Sequence, residues 1–404
     1  MRNYEFRIYP SRKQISRLQT QFFLATKLYN ILLTVKKETY LANGKTLTKY
    51  DLDKDIKYFR DTNTEFKGVY SQVLQNVSDR LSKAYKNFFR RVREKKSGKH
   101  IKVGFPRYKQ WLKSITYPQS GFKFVSDKKL CISKIGNVPI VLHRVPRGKV
   151  KTMTIKRTKS GKWFVVFSCE NIEHTLNGHP FPDKSVGVDV GIESFATLSD
   201  GIIIDNPRHL KKSEFKLKRL QRKLSRKVKG SNNRKKAVHM LAVQHELVAN
   251  QRKDFLHKTS RFIANNYGIV AVENLNINGM LKNHCLAKHI ADASWGTFLR
   301  MDAYKVVETG GQFIVGDPFE PTSQKCSGCG TIVRKSLAER MHNCPICGLK
   351  LLRDLNSAIN IFDNIKNRVG RTRIYACEDS ASTSRPERDA SGVVETGTNM
   401  RKNE

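Results

Sequence analysis

The chain has 404 residues, 39% hydrophobic and 27% charged, a globular balance that excludes a wholly disordered polymer. Its 76 Lys and Arg against 35 Asp and Glu leave a formal net charge of +41. Self-repulsion on that scale disfavours a compact state unless a polyanion neutralises it, and nucleic acid is the natural one. The opening residues lack the apolar segment of a secretory signal, and no apolar run reaches the ~18 residues of a membrane span. A cytoplasmic protein with nucleic-acid partners and no membrane partner is expected.

Residues 3–9 alternate as a strand does, and Pro10 ends it. Ser11 followed by Gln14 reads as a capping box. Ile15, Leu18, Phe22, Ala25, Tyr29 and Leu32 then fall on one helical face, with Gly44 as the stop. A second long helix carries Tyr70, Val73, Val77, Leu81, Ala84 and Phe88, and ends in the mostly basic run 90–96 before Gly98. That end either meets phosphates or is a solvated face. Residues 11–98 are expected to form a helical recognition domain.

From Val103 to Glu170 the period becomes two, with turns at Pro118, Gly136 and Lys159-Ser160-Gly161. This predicts an antiparallel barrel or sandwich that includes strand 3–9. The helical domain is then an insertion into a β domain made of 1–10 and 99–180. Phe105, Arg107, Tyr108, Lys109, Trp111, Lys113 and Tyr117 interleave rings with cations and could stack on bases. The preferred expectation is that at least half of the rings are core.

Strands are predicted at 185–190, 195–198 and 201–204. Residues 211–236 hold thirteen Lys and Arg and one acid, Glu214. Leu217, Leu220, Leu224 and Val228 share a helical face, and residues 230–233 turn the chain into a second helix reaching Ala264. With acidic i,i+4 partners scarce, this hairpin suits a duplex backbone.

Three acids carry the candidate chemistry. Asp189 ends the apolar strand Val186-Gly187-Val188-Asp189, and Glu273 ends Ile269-Val270-Ala271-Val272-Glu273. A carboxylate there is costly to bury unless it is paired or bound to metal. Asp354 opens the helical stretch 353–361, where an N-cap is the alternative role. Two strand-end acids and one helix-start acid are how an RNase H-like nuclease gathers oxygens around two Mg²⁺ ions, with Mn²⁺ as a possible substitute. Cys326-Ser327-Gly328-Cys329 and Cys344-Pro345-Ile346-Cys347 are two CxxC knuckles, each followed by glycine. Their four thiolates can close a structural Zn²⁺ site just ahead of Asp354.

At these residues the chain resembles the TnpB family, transposon-encoded RNA-guided endonucleases related to type V CRISPR effectors. Further matching segments are Phe6-Arg7-Ile8-Tyr9-Pro10, Gly104-Phe105-Pro106-Arg107-Tyr108-Lys109, Val272-Glu273-Asn274-Leu275, Thr322-Ser323-Gln324 and Arg353-Asp354-Leu355-Asn356. The resemblance implies a multidomain α/β plus β fold: a wedge-type β-barrel, an inserted helical recognition lobe, a RuvC nuclease domain (181–320 and 349–370) and a zinc-ribbon insertion (321–348). It implies a monomeric ribonucleoprotein whose guide RNA comes from the transposon end, and which cleaves double-stranded DNA next to a short target-adjacent motif. Arg340 matches a family arginine that would hold the scissile phosphate; a surface arginine on the ribbon is the alternative. Leu351-Leu352 stand where the family often has His-Asp. Residues 371–404, rich in Ser, Thr and Glu, are expected to be a disordered tail. The competing functions are a guide-dependent DNA-binding repressor and an RNase H-fold transposase; the latter usually orders its acids Asp, Asp, Glu rather than Asp, Glu, Asp.

Overall fold

A computed structural model describes residues 2–170, 178–317, 320–336 and 338–366. The expected tail, 371–404, lies outside the described residues. The described residues fall into two compact units, one holding 2–170 with Leu220–Gln244 and the other the described residues of 178–219 and 245–366.

In the first unit β1 (Arg2–Ile8) buries Tyr4, Phe6 and Ile8, as its alternation requires. Helix α1 (Arg12–Asn43) starts on the expected capping box. The Ser11 N–H donates to Gln14 Oε1 at 2.9 Å and the Gln14 N–H to Ser11 Oγ at 3.3 Å, while Gly44, at φ +65°, ends the helix. Helices α2 (Lys49–Thr62) and α3 (Thr64–Lys67) add to the expected pair; α2 buries only Leu52 and Ile56, too few for a visible stripe. Helix α4 (Ser71–Lys96) buries Val73, Leu74, Val77, Leu81 and Tyr85 and ends in Arg93, Lys95 and Lys96.

The strands β2 (Ser114–Pro118), β3 (Phe122–Ser126), β4 (Lys129–Ile132), β5 (Gly136–Val141), β6 (Val150–Arg157) and β7 (Trp163–Cys169) join β1 in an antiparallel sheet of order β2-β6-β7-β1-β5-β4-β3. Residues 119–121 alone link its two end strands. Laid flat, seven strands would hold those ends about 29 Å apart, six spacings of ~4.8 Å. The four steps from Pro118 to Phe122 reach only about 14 Å. The sheet must therefore curl like a barrel, and Leu18, Phe22, Leu52 and Val73 of the helices share one core with Ile115, Tyr117, Val165 and Phe167 of the strands.

The aromatics before β2 correct the expectation of core burial. Of the four rings at 105, 108, 111 and 117 only Tyr117 is fully buried; Phe105, Tyr108 and Trp111 are 43%, 53% and 46% exposed. They sit on an irregular segment clamped by Asn30, whose side chain bonds both the carbonyl and the N–H of Lys109 at 2.8 Å. Each ring rests one face on the helices: Trp111 stacks over Phe22, and Phe105 meets Tyr85 and Phe88 edge-on. Lys37 lies over Phe105 and Tyr108.

The second unit holds β8 (Ser185–Val190), β9 (Ser194–Leu198), β10 (Ile203–Asp205), β11 and β12, the last two at Ile269–Val272 and Gln312–Val315. Helix α5 (His209–Ser225) and helix α6 (Asn232–Asn266) come between β10 and β11, and the chain passes between the units inside each of them. Val228, expected on the apolar face of α5, lies beyond its end and is 77% exposed. The helix stops early because Arg234 Nη1 donates to the carbonyls of Leu224 (3.1 Å) and Lys227 (3.0 Å), satisfying its C-terminus. Then follow α7 (Ile277–Met280), α8 (Ala287–Ala293), α9 (Trp295–Glu308), the hairpin of β13 (Met341–Asn343) and β14 (Lys350–Leu352), and α10 (Arg353–Lys366). The sheet order is β10-β9-β8-β11-β12, with β8, β11 and β12 parallel and the other pairings antiparallel. Among the described residues no helix is long and apolar enough to cross a membrane.

Candidate active site

Alternation decides where the acids go. Val186 and Val188 of β8 enter the core shared with Leu256 and Ile263 of α6 and Trp295, Phe298 and Val306 of α9. Gly187 therefore faces the other way, under α10. A Cβ there would stand 2.1 Å from the Ala358 carbonyl oxygen and 2.8 Å from the Phe362 nitrogen, so only glycine lets the helix lie this close. Asp189 has the parity of Gly187. In β11, Val270 and Val272 join the first core while Ala271 packs with Ile314 and Ile361 of α10's side, which gives Glu273 the same face as Asp189. The parallel register pairs Ala271 with Gly187 and Val272 with Val188, and the same register continued one residue past the end of β11 sets Glu273 beside Asp189.

Asp354 arrives from above. It is the second residue of α10, inside the first turn rather than at the cap, and a side chain at Gly191 would come within 3.9 Å of its Oδ2. Asp189 feels the other two acids. Burial pushes Asp189 well above the ordinary carboxylate range, Glu273 and Asp354 push it further, and Arg353 and the Val190 N–H pull it back. Burial also raises Glu273, against the pull of a hydroxyl hydrogen bond from Thr322. Mutually repelling, partly buried oxygens with so little cationic relief fit a hard divalent ion, which takes oxygen ligands and supplies the missing charge. They are grouped less tightly than the cysteines: among the described residues, only the cysteine set brings all its ligand atoms within 4.8 Å of one another.

The thiols fit zinc. Cys326 Sγ lies 3.6 Å from Cys347 Sγ, and Cys329 Sγ lies 3.5 Å from Cys344 Sγ, with no disulfide among them. A tetrahedron with ~2.3 Å Zn–S bonds has edges of about 3.8 Å. The Thr331 hydroxyl and backbone bring Cys329 down to about 6. Cys347 is different: a Leu349 backbone bond pulls it down, but burial and the neighbouring sulfurs push it up to about 12. Four thiolates packed this closely need a dication to ionise together. The ribbon feeds straight into the acid site, since β14 ends at Leu352 and Asp354 follows two residues later.

Arg340 stands at the ribbon's open end. Its carbonyl accepts the Arg353 N–H at 2.8 Å, one residue from Asp354, and its Nε donates to Glu193 Oε2 at 2.9 Å with both side chains about half exposed. Glu193 lies in the turn after β8, and the residue types alone give no reason to single it out. Thr322 and Asn356 stand in segments matched by the resemblance with no role given to either, and Ser357 and Asn360 are not marked by type; all four are buried.

A family model described as "Probable transposase" matches residues 167–284, one described as "Cas12f1-like, TNB domain" matches 295–361, and one described as "Helix-turn-helix domain" matches 1–45. Within the last match the chain forms β1 and the single unbroken helix α1. The chain is 32% identical to a Streptomyces pristinaespiralis protein named "Putative RNA-guided DNA endonuclease", over 96% of this chain and 93% of that one. It is 28% identical to the Escherichia coli K12 protein of the same name with the suffix InsQ, over 95% of each. TnpB-like protein L770 of Acanthamoeba polyphaga mimivirus is 23% identical over 88% of this chain and 72% of its own length.

Proposed function

The chain belongs to the TnpB family, and from that membership we propose that it is an RNA-guided DNA endonuclease of an insertion sequence, cutting double-stranded DNA beside a short target-adjacent motif. The observation that carries the hydrolytic reading is the shared face of Asp189 and Glu273, side by side at the ends of neighbouring parallel strands, with Asp354 above them. These carboxylates would hold two Mg²⁺ or Mn²⁺ ions, which supply an activated water and a Lewis acid at the leaving 3′-oxygen. Asp189, central to the three, fixes the shared position. Glu273 is oriented by Thr322. Arg340 exchanges Glu193 for the scissile phosphate when DNA enters, a trade favoured by phosphate's greater charge and its fit to the guanidinium fork.

Sequence choice belongs to the guide. The protein's share is phosphate contact from its excess of 41 positive charges and stacking on half-exposed rings such as Tyr108 and Trp111. In an insertion-sequence product acting as a monomer, the guide is a transcript of the element's own end.

The test is to purify the full-length protein with its bound RNA and offer DNA matching that RNA. Mg²⁺-dependent double-strand cleavage is expected, and RNase treatment before target addition should remove it. Cleavage that survives RNase, or binding of target without cutting in either Mg²⁺ or Mn²⁺, overturns the reading. In the same assay Arg340→Ala should lower the single-turnover rate by about 10²–10³-fold, as loss of a donor to developing charge does elsewhere. RNA retention should be unchanged. An Arg340→Ala protein that cuts at the parent rate returns Arg340 to the role of a surface residue.

A further inference from the structure

Buried polar side chains beside the acids form a continuous chain. The Ser357 hydroxyl donates to Thr322 Oγ1 at 3.1 Å, and Thr322 Oγ1 donates to Glu273 Oε1. A hydroxyl has one hydrogen. With Ser357 donating to it, Thr322 has its own hydrogen free for the carboxylate, so the direction of the relay is set. Helix α10 holds the rest of this segment. Asn360 Nδ2 donates to the carbonyls of Thr322 (2.8 Å) and Lys325 (2.7 Å). Asn356 Nδ2 donates to the Lys325 carbonyl at 2.7 Å, and its Oδ1 accepts the Ser327 N–H at 2.9 Å. All four side chains are nine-tenths or more buried. One helix thus carries Asp354 on its first turn and, through residues of its first two turns, fixes the backbone that presents Thr322 to Glu273.

We propose that Thr322 is a positioning residue for the carboxylate cation site: its hydroxyl, oriented by Ser357, holds one oxygen of Glu273 so that the other faces the cation. The proposal rests on the reading of the three acids as a divalent-cation site. A carboxylate on the residue just past a strand has free torsions, and an oxygen pinned by a buried donor loses that freedom before the ion arrives. The pin also spans the fold. It ties the strand-end acid to the helix-start acid through the first residues of the ribbon, which local sequence cannot do.

The experiment titrates Mn²⁺ into the full-length protein by calorimetry and counts only the binding that Asp189→Asn removes, which subtracts ions held by residual RNA. Thr322→Val keeps the volume and deletes the hydroxyl; it should weaken that binding by about 10–100-fold, the usual effect of losing an outer partner of a ligand. Zinc content should stay at the parent value. Thr322→Ser restores the hydroxyl and should bind as the parent does. Parent-like binding by Thr322→Val overturns the assignment. So does equal weakening in Thr322→Ser, because the methyl rather than the hydroxyl would then be what matters. If the parent protein shows no Asp189-dependent Mn²⁺ binding at all, the cation site itself fails and the positioning role falls with it.

Discussion

Asp189→Ala is expected to lower cleavage by about 10⁴-fold or more, the scale on which removal of a central catalytic group acts, while guide RNA and target DNA stay bound. Asp189 is the acid whose carboxyl group both others push upward. Asp189→Asn adds a second, opposite expectation. A carboxyl raised above its ordinary range keeps its proton in the folded state at pH values where the unfolded chain has already lost it. The unfolded state then binds fewer protons, and stability falls as pH rises through that window. Without divalent cation, the amide variant should therefore melt above the parent at pH 8, with the difference vanishing near pH 4. Saturating Mg²⁺ should erase the gap at pH 8 by stabilising only the parent. Calorimetry at the two pH values decides it; a lower melting temperature for Asp189→Asn at pH 8 contradicts the account.

Removal of zinc should cost nearly as much activity by a different route. Structural zinc contributes about 10–16 kcal/mol in isolated zinc fingers, comparable to the ~5–15 kcal/mol that holds a whole domain. Among the described residues the ribbon's regular structure is the short β13–β14 hairpin and the Lys325–Ile332 bridge, so its order is expected to depend on the ion. Its collapse would free the Arg353–Arg340 rung and the turn that delivers Asp354. Cys344→Ser is expected to reduce bound zinc from about one ion per chain to near none and to lower cleavage at least about 10²-fold. Far-ultraviolet circular dichroism should change little, because the hydrophobic cores lie outside the ribbon. Zinc-free protein that cuts at the parent rate would separate the ribbon from the acid site.

Much of this site can be read from residue order, because its signals are local. A carboxylate ending an apolar strand, as at Asp189 and Glu273, stands out against its neighbours. Two CxxC knuckles declare their ligand set by spacing. The capping box at Ser11 and the stop at Gly44 are equally local. What pairs with what is not. That Glu273 stands beside Asp189 depends on the parallel register of strands some eighty residues apart, counted from their positions in the chain. The half-exposure of Phe105, Tyr108 and Trp111 follows from Asn30 clamping a loop onto α1, and an aromatic in a loop looks the same whether one face or two are covered. Thr322 shows the limit most sharply. The segment Thr322-Ser323-Gln324 stands out by resemblance, but its contact with Glu273 comes only from α10 folding back over the ribbon's entry.

The central claim is that Asp189, Glu273 and Asp354 form one cation site. Anomalous diffraction from crystals grown with Mn²⁺ tests it most directly. The account predicts two Mn²⁺ peaks among these three carboxylates, at about 2.1–2.2 Å from the oxygens that hold them, as hard six-coordinate ions require. A map with no peak there, in crystals whose ribbon still holds its zinc, would contradict it.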